Sequence, residues 1–289
     1  MYSEAAISAG RHLSNVVIQH TSFREALNLV ANALAIGNGA GIFAGVRVTA
    51  PSGTGKSLMI DCLKKNIIAS PYLANELSVI GAELKESPSV SQIQGSLLDN
   101  FNYGLSDSGR RVSNNEVHKV LISAMKEHRV QLIVLDEFQH IFSTHGGKAI
   151  TSVIDWLKRL MNITQVPVLL VGTELMDSLG AVDPQLTSRI PTTIRLEPFA
   201  YSVDWVAFLR ALAKQCTAVD LSIIHDVEFA RKLHEVTKGV LRPLKSILVQ
   251  ATIIAVHIGE KTLTRQGLQE AYRLVYGPDA AKESPFALS

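Results

Sequence analysis

Ala50-Pro51-Ser52-Gly53-Thr54-Gly55-Lys56-Ser57 is the stretch on which the fold turns. It follows Val46-Arg47-Val48-Thr49, a β-branched run suited to a strand, and precedes Leu58-Met59-Ile60-Asp61-Cys62-Leu63, suited to a helix. A glycine-rich turn between a strand and a helix is the setting of a phosphate-binding loop. Gly53 and Gly55 let the backbone curl until its N–H groups converge on an anion, and the helix N-terminus adds partial positive charge. The residues expected against ATP are Pro51, Ser52, Gly53, Thr54, Gly55, Lys56, Ser57 and Leu58. Lys56 reaches the β- and γ-phosphates, and the Ser57 hydroxyl binds Mg²⁺. Ala50 stands where the motif usually has its first glycine, and its side chain is small.

The rest of the composition sets bounds. The chain of 289 residues is 47% hydrophobic and 19% charged, ordinary for a globular protein with a sizeable core. Its formal net charge of +2 does not announce a polyanion partner, so any such contact has to come from local clustering. The two cysteines, Cys62 and Cys216, form no metal or redox pattern and read as buried thiols. The start has no basic segment followed by an apolar core, so no signal peptide is expected. Apolar stretches such as residues 251–258 are too short to span a bilayer. The expectation is therefore a cytoplasmic protein with no membrane partner.

Outward from the loop, strands and helices alternate. Residues 1–20 lack strong periodicity and read as an arm. Ser22-Phe23-Arg24-Glu25 has the form of a capping box, the helix continues over residues 26–35, and Gly37-Asn38-Gly39-Ala40-Gly41 breaks it. A second strand is expected over 77–84 and a short helix over 93–101. Ser113-Asn114-Asn115-Glu116 is another capping box, and the helix it opens places Val117, Val120, Leu121, Ala124 and Met125 on one face. Gln131-Leu132-Ile133-Val134-Leu135 is apolar throughout, as in a strand buried on both faces of a parallel sheet. A helix follows over 149–161, then strands over 166–171 and 192–196. From Phe199 the strands stop, and four helices follow, the last capped by Thr264. The pattern implies a five-stranded, parallel, doubly wound α/β domain over 21–198, a small all-α helical lid over 199–276, and a flexible tail over 277–289.

The second chemical signal is Leu132-Ile133-Val134-Leu135-Asp136-Glu137. An apolar strand that ends in two carboxylates delivers them to the carboxyl edge of the sheet, beside the phosphate loop. There Asp136 would hold Mg²⁺ through its water, and Glu137 would orient and polarise the attacking water. A solvated Asp-Glu turn is the plain alternative. Thr173, at the end of the fourth strand, can bond the water or the γ-phosphate, or can simply belong to a Gly-Thr turn. Arg189, in Asp183-Pro184-Gln185-Leu186-Thr187-Ser188-Arg189, would face away from its own phosphate loop and toward a neighbouring subunit. That is the place of an arginine finger supplied in trans, although an ordinary surface arginine also fits. Arg242 opens a helix, where its charge opposes the helix dipole. This conflict points to a ligand anion such as the γ-phosphate, with a solvated arginine as the alternative. His140 and His145 lack further ligands at metal spacing and read as loop or packing residues.

Together, Gly53-Thr54-Gly55-Lys56-Ser57, Leu135-Asp136-Glu137, Val171-Gly172-Thr173, Arg189 and Arg242 resemble an AAA+ ATPase, the first two groups being its Walker A and Walker B motifs. Val134-Leu135-Asp136-Glu137-Phe138-Gln139-His140, Leu170-Val171-Gly172-Thr173-Glu174 and the segment ending at Arg189 are similar to the TniB/TnsC group of transposon regulator ATPases. The resemblance covers residues 20–275. It implies a bacterial protein that binds ATP, assembles as a homo-oligomeric ring or helical filament around double-stranded DNA, and links a target-selection protein to a transposase. Hydrolysis would disassemble the filament. It further implies DNA contacts between the two ATPase motifs, where this chain offers Lys85, Arg110, Arg111 and Ser113, with Lys119 and Lys126 behind them. Such contacts go to phosphates and carry no sequence preference. Thr173 stands where many AAA+ proteins have Asn, but fits this group. The absence of zinc-finger spacing or a large extension suggests a compact member.

Two other readings share parts of the pattern. An ATP-gated loader or adaptor of a replicative helicase would use the same core and bind chiefly protein. A small-molecule kinase with a phosphate loop would have a substrate pocket under the lid and no use for Arg189 in trans; Glu137 and Arg189 argue against it.

Overall fold

The structure, a computed structural model, describes residues 2–40, 44–68, 76–102, 113–143, 147–279 and 284–286. Its elements in chain order begin with α1 (Glu4–Asn15), α2 (Thr21–Ala40), β1 (Val46–Thr49), α3 (Lys56–Ile68), β2 (Val79–Glu83), α4 (Val90–Asp99) and α5 (Asn114–Glu127). There follow β3 (Leu132–Asp136), α6 (Gly147–Thr164), β4 (Val168–Gly172), α7 (Leu179–Val182), α8 (Pro184–Arg189) and β5 (Thr192–Arg195). The chain closes with α9 (Val203–Gln215), α10 (Val227–Thr237), α11 (Leu241–Ile258) and α12 (Arg265–Tyr276). Contacts divide it into two units: Ser22–Ser52 with Lys56–Leu196, and Met1–Thr21 with Gly53–Gly55 and Glu197–Ser289.

The first unit is a five-stranded sheet in the order β2-β3-β4-β1-β5, with every pairing parallel. Successive side chains of a strand point to opposite faces, and this separates two cores. Ile133 and Leu135 of β3, with Val168 and Leu170 of β4, belong to a cluster with α4, α5 and α6. Leu132 and Val134, with Leu169 and Val171, belong to a cluster with α2 and α3. Both faces of the central strands are covered, which is why their sequences are apolar without alternation. On α6, Val153, Trp156, Leu157, Leu160 and Met161 are all buried as their spacing requires, each contributing about 1.5–3 kcal/mol of transfer free energy. On α5 the expected face is shifted. Val120 is 44% exposed, while His118 is buried and accepts the Trp156 indole N–H at Nδ1 (3.2 Å). The capping box at Ser22 is also displaced, because α2 starts at Thr21. The expected glycine break does not fall at Gly37, since α2 continues to Ala40.

The second unit is helical, with Trp205, Leu209, Leu233, Leu244, Ile247 and Leu248 at its centre. Within the expected arm, residues 4–15 form the helix α1. Ser3 caps α1, and Ala6, Ala9, Gly10 and Leu13 pack it against α11. At Gly10 an added Cβ would lie 2.5 Å from Ile253, so only glycine permits this approach. The segment expected to be a loose tail also carries a core residue: Phe286 is fully buried and sits edge-on to Tyr272. By length and composition α11 could cross a membrane, contrary to the expectation that no stretch is long enough. Its Leu244, Ile247, Leu248 and Ala251 are instead buried in this helical core.

Candidate functional site

The carboxyl edge of the sheet collects the chemistry. β1 pairs with β4 so that Thr49 is opposite Gly172, and the Ala50 N–H donates to the Gly172 carbonyl at 2.9 Å. The phosphate loop therefore leaves the sheet beside Thr173. Gly53 and Gly55 have φ of +83° and +107°, the left-handed region that only glycine enters freely. At Gly55 a Cβ would meet nothing within 4 Å, so the loop is open to a ligand there. Lys56, the first residue of α3, is 8% exposed, and its Nζ donates to the Ala50 carbonyl across the loop at 3.0 Å. Ser57 is exposed at the helix N-terminus.

Asp136 ends β3 opposite Glu83 of β2. Burial pushes its carboxyl above the ordinary carboxylate range, and the neighbouring Glu137 and Glu83 charges push the same way. The Glu137 N–H, which donates to Asp136 Oδ1 at 2.8 Å, and the nearby Lys56 charge act against this rise. A half-buried carboxyl with the Glu137 and Glu83 carboxylates near it suits a divalent cation, which would offset their mutual repulsion. Glu137 turns the chain sharply, at φ +53°. Its carboxylate accepts a bond from the Gln139 side-chain amide, whose oxygen in turn accepts the Thr173 N–H at 3.1 Å. The hydroxyls of Thr49 and Thr173 are buried without a protein partner. Two orphaned hydroxyls at the same edge, an open loop and a cation-seeking carboxyl fit a Mg²⁺–nucleotide. Gln139 escaped the sequence reading, because its role depends on a residue 34 positions away.

The Arg242 N–H donates to the Gly53 carbonyl at 3.1 Å, and Gly53 would place a Cβ 2.9 Å from that of Arg242. Arg189 ends α8, where its Nη1 donates to the Gln185 carbonyl at 3.1 Å. The Arg189 carbonyl accepts from Gly45, the residue before β1, at 2.8 Å. Arg189 is thus at the amino edge of the sheet, a strand length of about 13 Å from the carboxyl edge. Asp183 caps α8 and bonds Lys158 of α6 at 2.9 Å, which fixes that helix in place.

Lys85 is exposed just past β2, beside a cavity of about 290 Å³ lined by Glu83, Pro88, Gln92 and Asp99. Ser113 is committed to its helix: its hydroxyl donates to Glu116 Oε2 at 2.9 Å and accepts the Glu116 N–H. The backbone and hydroxyl of Ser113 hold the Glu116 carboxyl below its usual range. The Glu116 carboxylate occupies that helix N-terminus, and Ser113 serves there as its cap. Lys119 and Lys126 are exposed on the same helix. Arg110, Arg111 and His145 lie outside the described residues. Cys62 and Cys216 are free and half-buried.

A family model, the bacterial TniB protein, matches residues 12–201 and so includes both ATPase motifs, Thr173 and Arg189. The chain belongs to the TniB family. Among curated proteins none matches. Among solved structures, the TniB chain is similar to the Aeropyrum pernix ORC2 protein in its ADPNP–ADP complexes, at 17% identity and a TM-score of 0.66, over 89% of this chain and 67% of that one. It is similar to the Aeropyrum pernix ORC1 protein in complex with DNA, at 17% identity and 0.62, over 88% and 64%. Drosophila ORC bound to DNA aligns at 13% identity and 0.62, over 97% and 68%. At these identities the likeness is one of fold, an α/β unit followed by helices. This chain spans about two thirds of the length of those neighbours.

Proposed function

We propose that this TniB-family AAA+ ATPase regulates DNA transposition, assembling on duplex DNA with ATP and disassembling when it hydrolyses it. The observation that supports this reading best is the single sheet edge where Lys56, Asp136, Glu137 and Thr173 meet. ATP would lie along residues 51–58, with Lys56 on its β- and γ-phosphates and Thr173 beside the γ-phosphate. Ser57 and Asp136 would hold Mg²⁺, which neutralises charge on the phosphates. Glu137 would orient the attacking water and accept its proton. Arg242, anchored at Gly53, would contact the γ-phosphate through its guanidinium. Arg189, remote from its own loop, would complete the site of a neighbouring copy.

Lys85, Arg110 and Arg111 would contact DNA phosphates, with a target-selection protein and a transposase as further partners in a bacterial cytoplasm. The test is ATPase measurement with and without duplex DNA, paired with imaging of the protein with a non-hydrolysable ATP analogue. DNA-stimulated hydrolysis and ATP-dependent rings or filaments on DNA are expected. A stoichiometric complex with a hexameric helicase, with no assembly on DNA, would favour a loader instead.

A further inference from the structure

Gln139 has no part in the chemistry above, yet it is 7% exposed and bonded at both ends. It lies in the 3₁₀ turn Phe138–Ser143, directly after the acidic pair. Its amide nitrogen donates to Glu137 Oε2, and its oxygen accepts the Thr173 N–H at 3.1 Å. A carboxylate only accepts and a backbone N–H only donates, so a single orientation of the amide satisfies both. The space for that amide comes from Gly172: a Cβ there would sit 2.4 Å from Gln139 Oε1. The backbone adds a second restraint, since Glu137 is held at φ +53° with its N–H on Asp136. One carboxylate oxygen of Glu137, Oε2, is thereby held by the amide.

We infer that Gln139 is a positioning residue for hydrolysis. It holds the Glu137 carboxylate in one rotamer and ties that rotamer to the backbone at the end of β4, so that a shift of Thr173 moves Glu137 as well. Positions of a catalytic group matter steeply, since a displacement of about 1 Å can cost about a hundredfold in rate. This inference rests on Glu137 acting on the attacking water, as proposed above.

Two substitutions separate the two bonds. Gln139→Met keeps the volume and loses both. Gln139→Glu keeps an acceptor for the Thr173 N–H but replaces the donor to Glu137 with a second carboxylate. The full-length protein is assayed for steady-state ATP hydrolysis, for binding of a fluorescent ATP analogue, and for thermal unfolding. Both variants are expected to lower kcat about tenfold or more while KM and analogue affinity stay within about twofold, the pattern of an interaction that acts only in the chemical step. If Gln139→Met loses kcat but Gln139→Glu does not, the residue anchors Thr173 alone and the inference is overturned. Equal losses of kcat and analogue affinity, tracking a fall in unfolding temperature, overturn it as well. An unmodified protein that hydrolyses no ATP, or a Glu137→Gln variant that hydrolyses at the full rate, would instead sink the functional proposal on which it rests.

Discussion

The space at Gly172 allows a test of the Gln139 bridge that does not touch a catalytic group. Gly172 has no positive φ, so alanine suits its backbone. The added Cβ, however, would sit 2.4 Å from Gln139 Oε1 and 3.0 Å from Met176 Sδ. The methionine end can swing aside, but the amide must retreat by about 1 Å to reach ordinary van der Waals contact. That carries it out of bonding range of Thr173, whose N–H is now 3.1 Å away. An unpaired, part-buried N–H costs about 2 kcal/mol, and the weakened bond to Glu137, partly replaced by water, about 1 kcal/mol. The narrowing of the unfolded ensemble by Gly→Ala returns about 0.7 kcal/mol. Gly172→Ala is therefore expected to destabilise the α/β unit by about 2 kcal/mol. Once Gln139→Ala has removed the obstructing amide, the same change is expected to be neutral or stabilising by about 0.5 kcal/mol, a coupling of about 2 kcal/mol or slightly more between the two sites. Trp156 is in the α/β unit and Trp205 in the helical one, and the chain has no other tryptophan. Urea unfolding read by Trp156 fluorescence in a Trp205→Phe background therefore isolates the relevant unit. Additivity of the two substitutions within about 0.5 kcal/mol would refute the reasoning, because the amide would then not occupy the space the structure gives it.

Other outcomes can be checked on the same protein. Glu137→Gln is expected to lose about a hundredfold or more in hydrolysis rate yet retain ATP and remain on DNA; rapid disassembly with ATP would contradict the role given to Glu137. Lys56→Ala and Arg189→Ala should each be nearly inactive alone, whereas a mixture should recover hydrolysis, since one supplies the intact loop and the other the arginine; co-assembly without recovery would place Arg189 outside the site. Phe286→Ala is expected to destabilise the helical unit by about 3–5 kcal/mol, read by Trp205 fluorescence, and a loss below about 0.5 kcal/mol would mean that the segment is not docked. For Asp136 burial raises the folded-state pKa above the unfolded value, so the cost to the folded state is full above the folded pKa, shrinks as pH falls between the two values and is gone below the unfolded one. Asp136→Asn should therefore raise the unfolding temperature at neutral pH without nucleotide, and the gain should vanish below about pH 4, the ordinary carboxylate value; an equal gain at both pH values would assign it to something other than the charge.

What could be read in the sequence was what short-range physics dictates. The phosphate loop, the acidic end of β3 and the cap at Ser113 are each encoded within a few consecutive residues, and each appears where its pattern predicts. The apolar runs of β3 and β4 announced two-sided burial because no other setting tolerates them. Elements held by partners far along the chain escaped. The buried positions of α1 have helical spacing, but three of the four are Ala6, Ala9 and Gly10, too small to give a visible apolar stripe. Phe286 is a lone aromatic after a glycine-proline break, and only its pocket in the helical core gives it meaning. His118 displaced Val120 from the buried face of α5 because Trp156, on another helix, offers it a hydrogen bond.

The sheet also explains why one copy of this chain would be an incomplete enzyme under the proposal. In a parallel sheet every strand points the same way, so all strand ends that carry ligand chemistry gather at one edge. Here that edge receives the loop after β1, Asp136 after β3 and Thr173 after β4. Arg189 precedes β5, and the segment before a strand necessarily reaches the opposite edge, as its carbonyl bond to Gly45 demonstrates. No side-chain rearrangement spans that gap, because α8 is pinned by the Asp183 cap and the Lys158 ion pair. An arginine at the amino edge can serve a phosphate only where the carboxyl edge of another copy is brought against it. Hydrolysis would then be confined to assembled protein, and the same ATP that holds two neighbours together would be the one whose loss releases them.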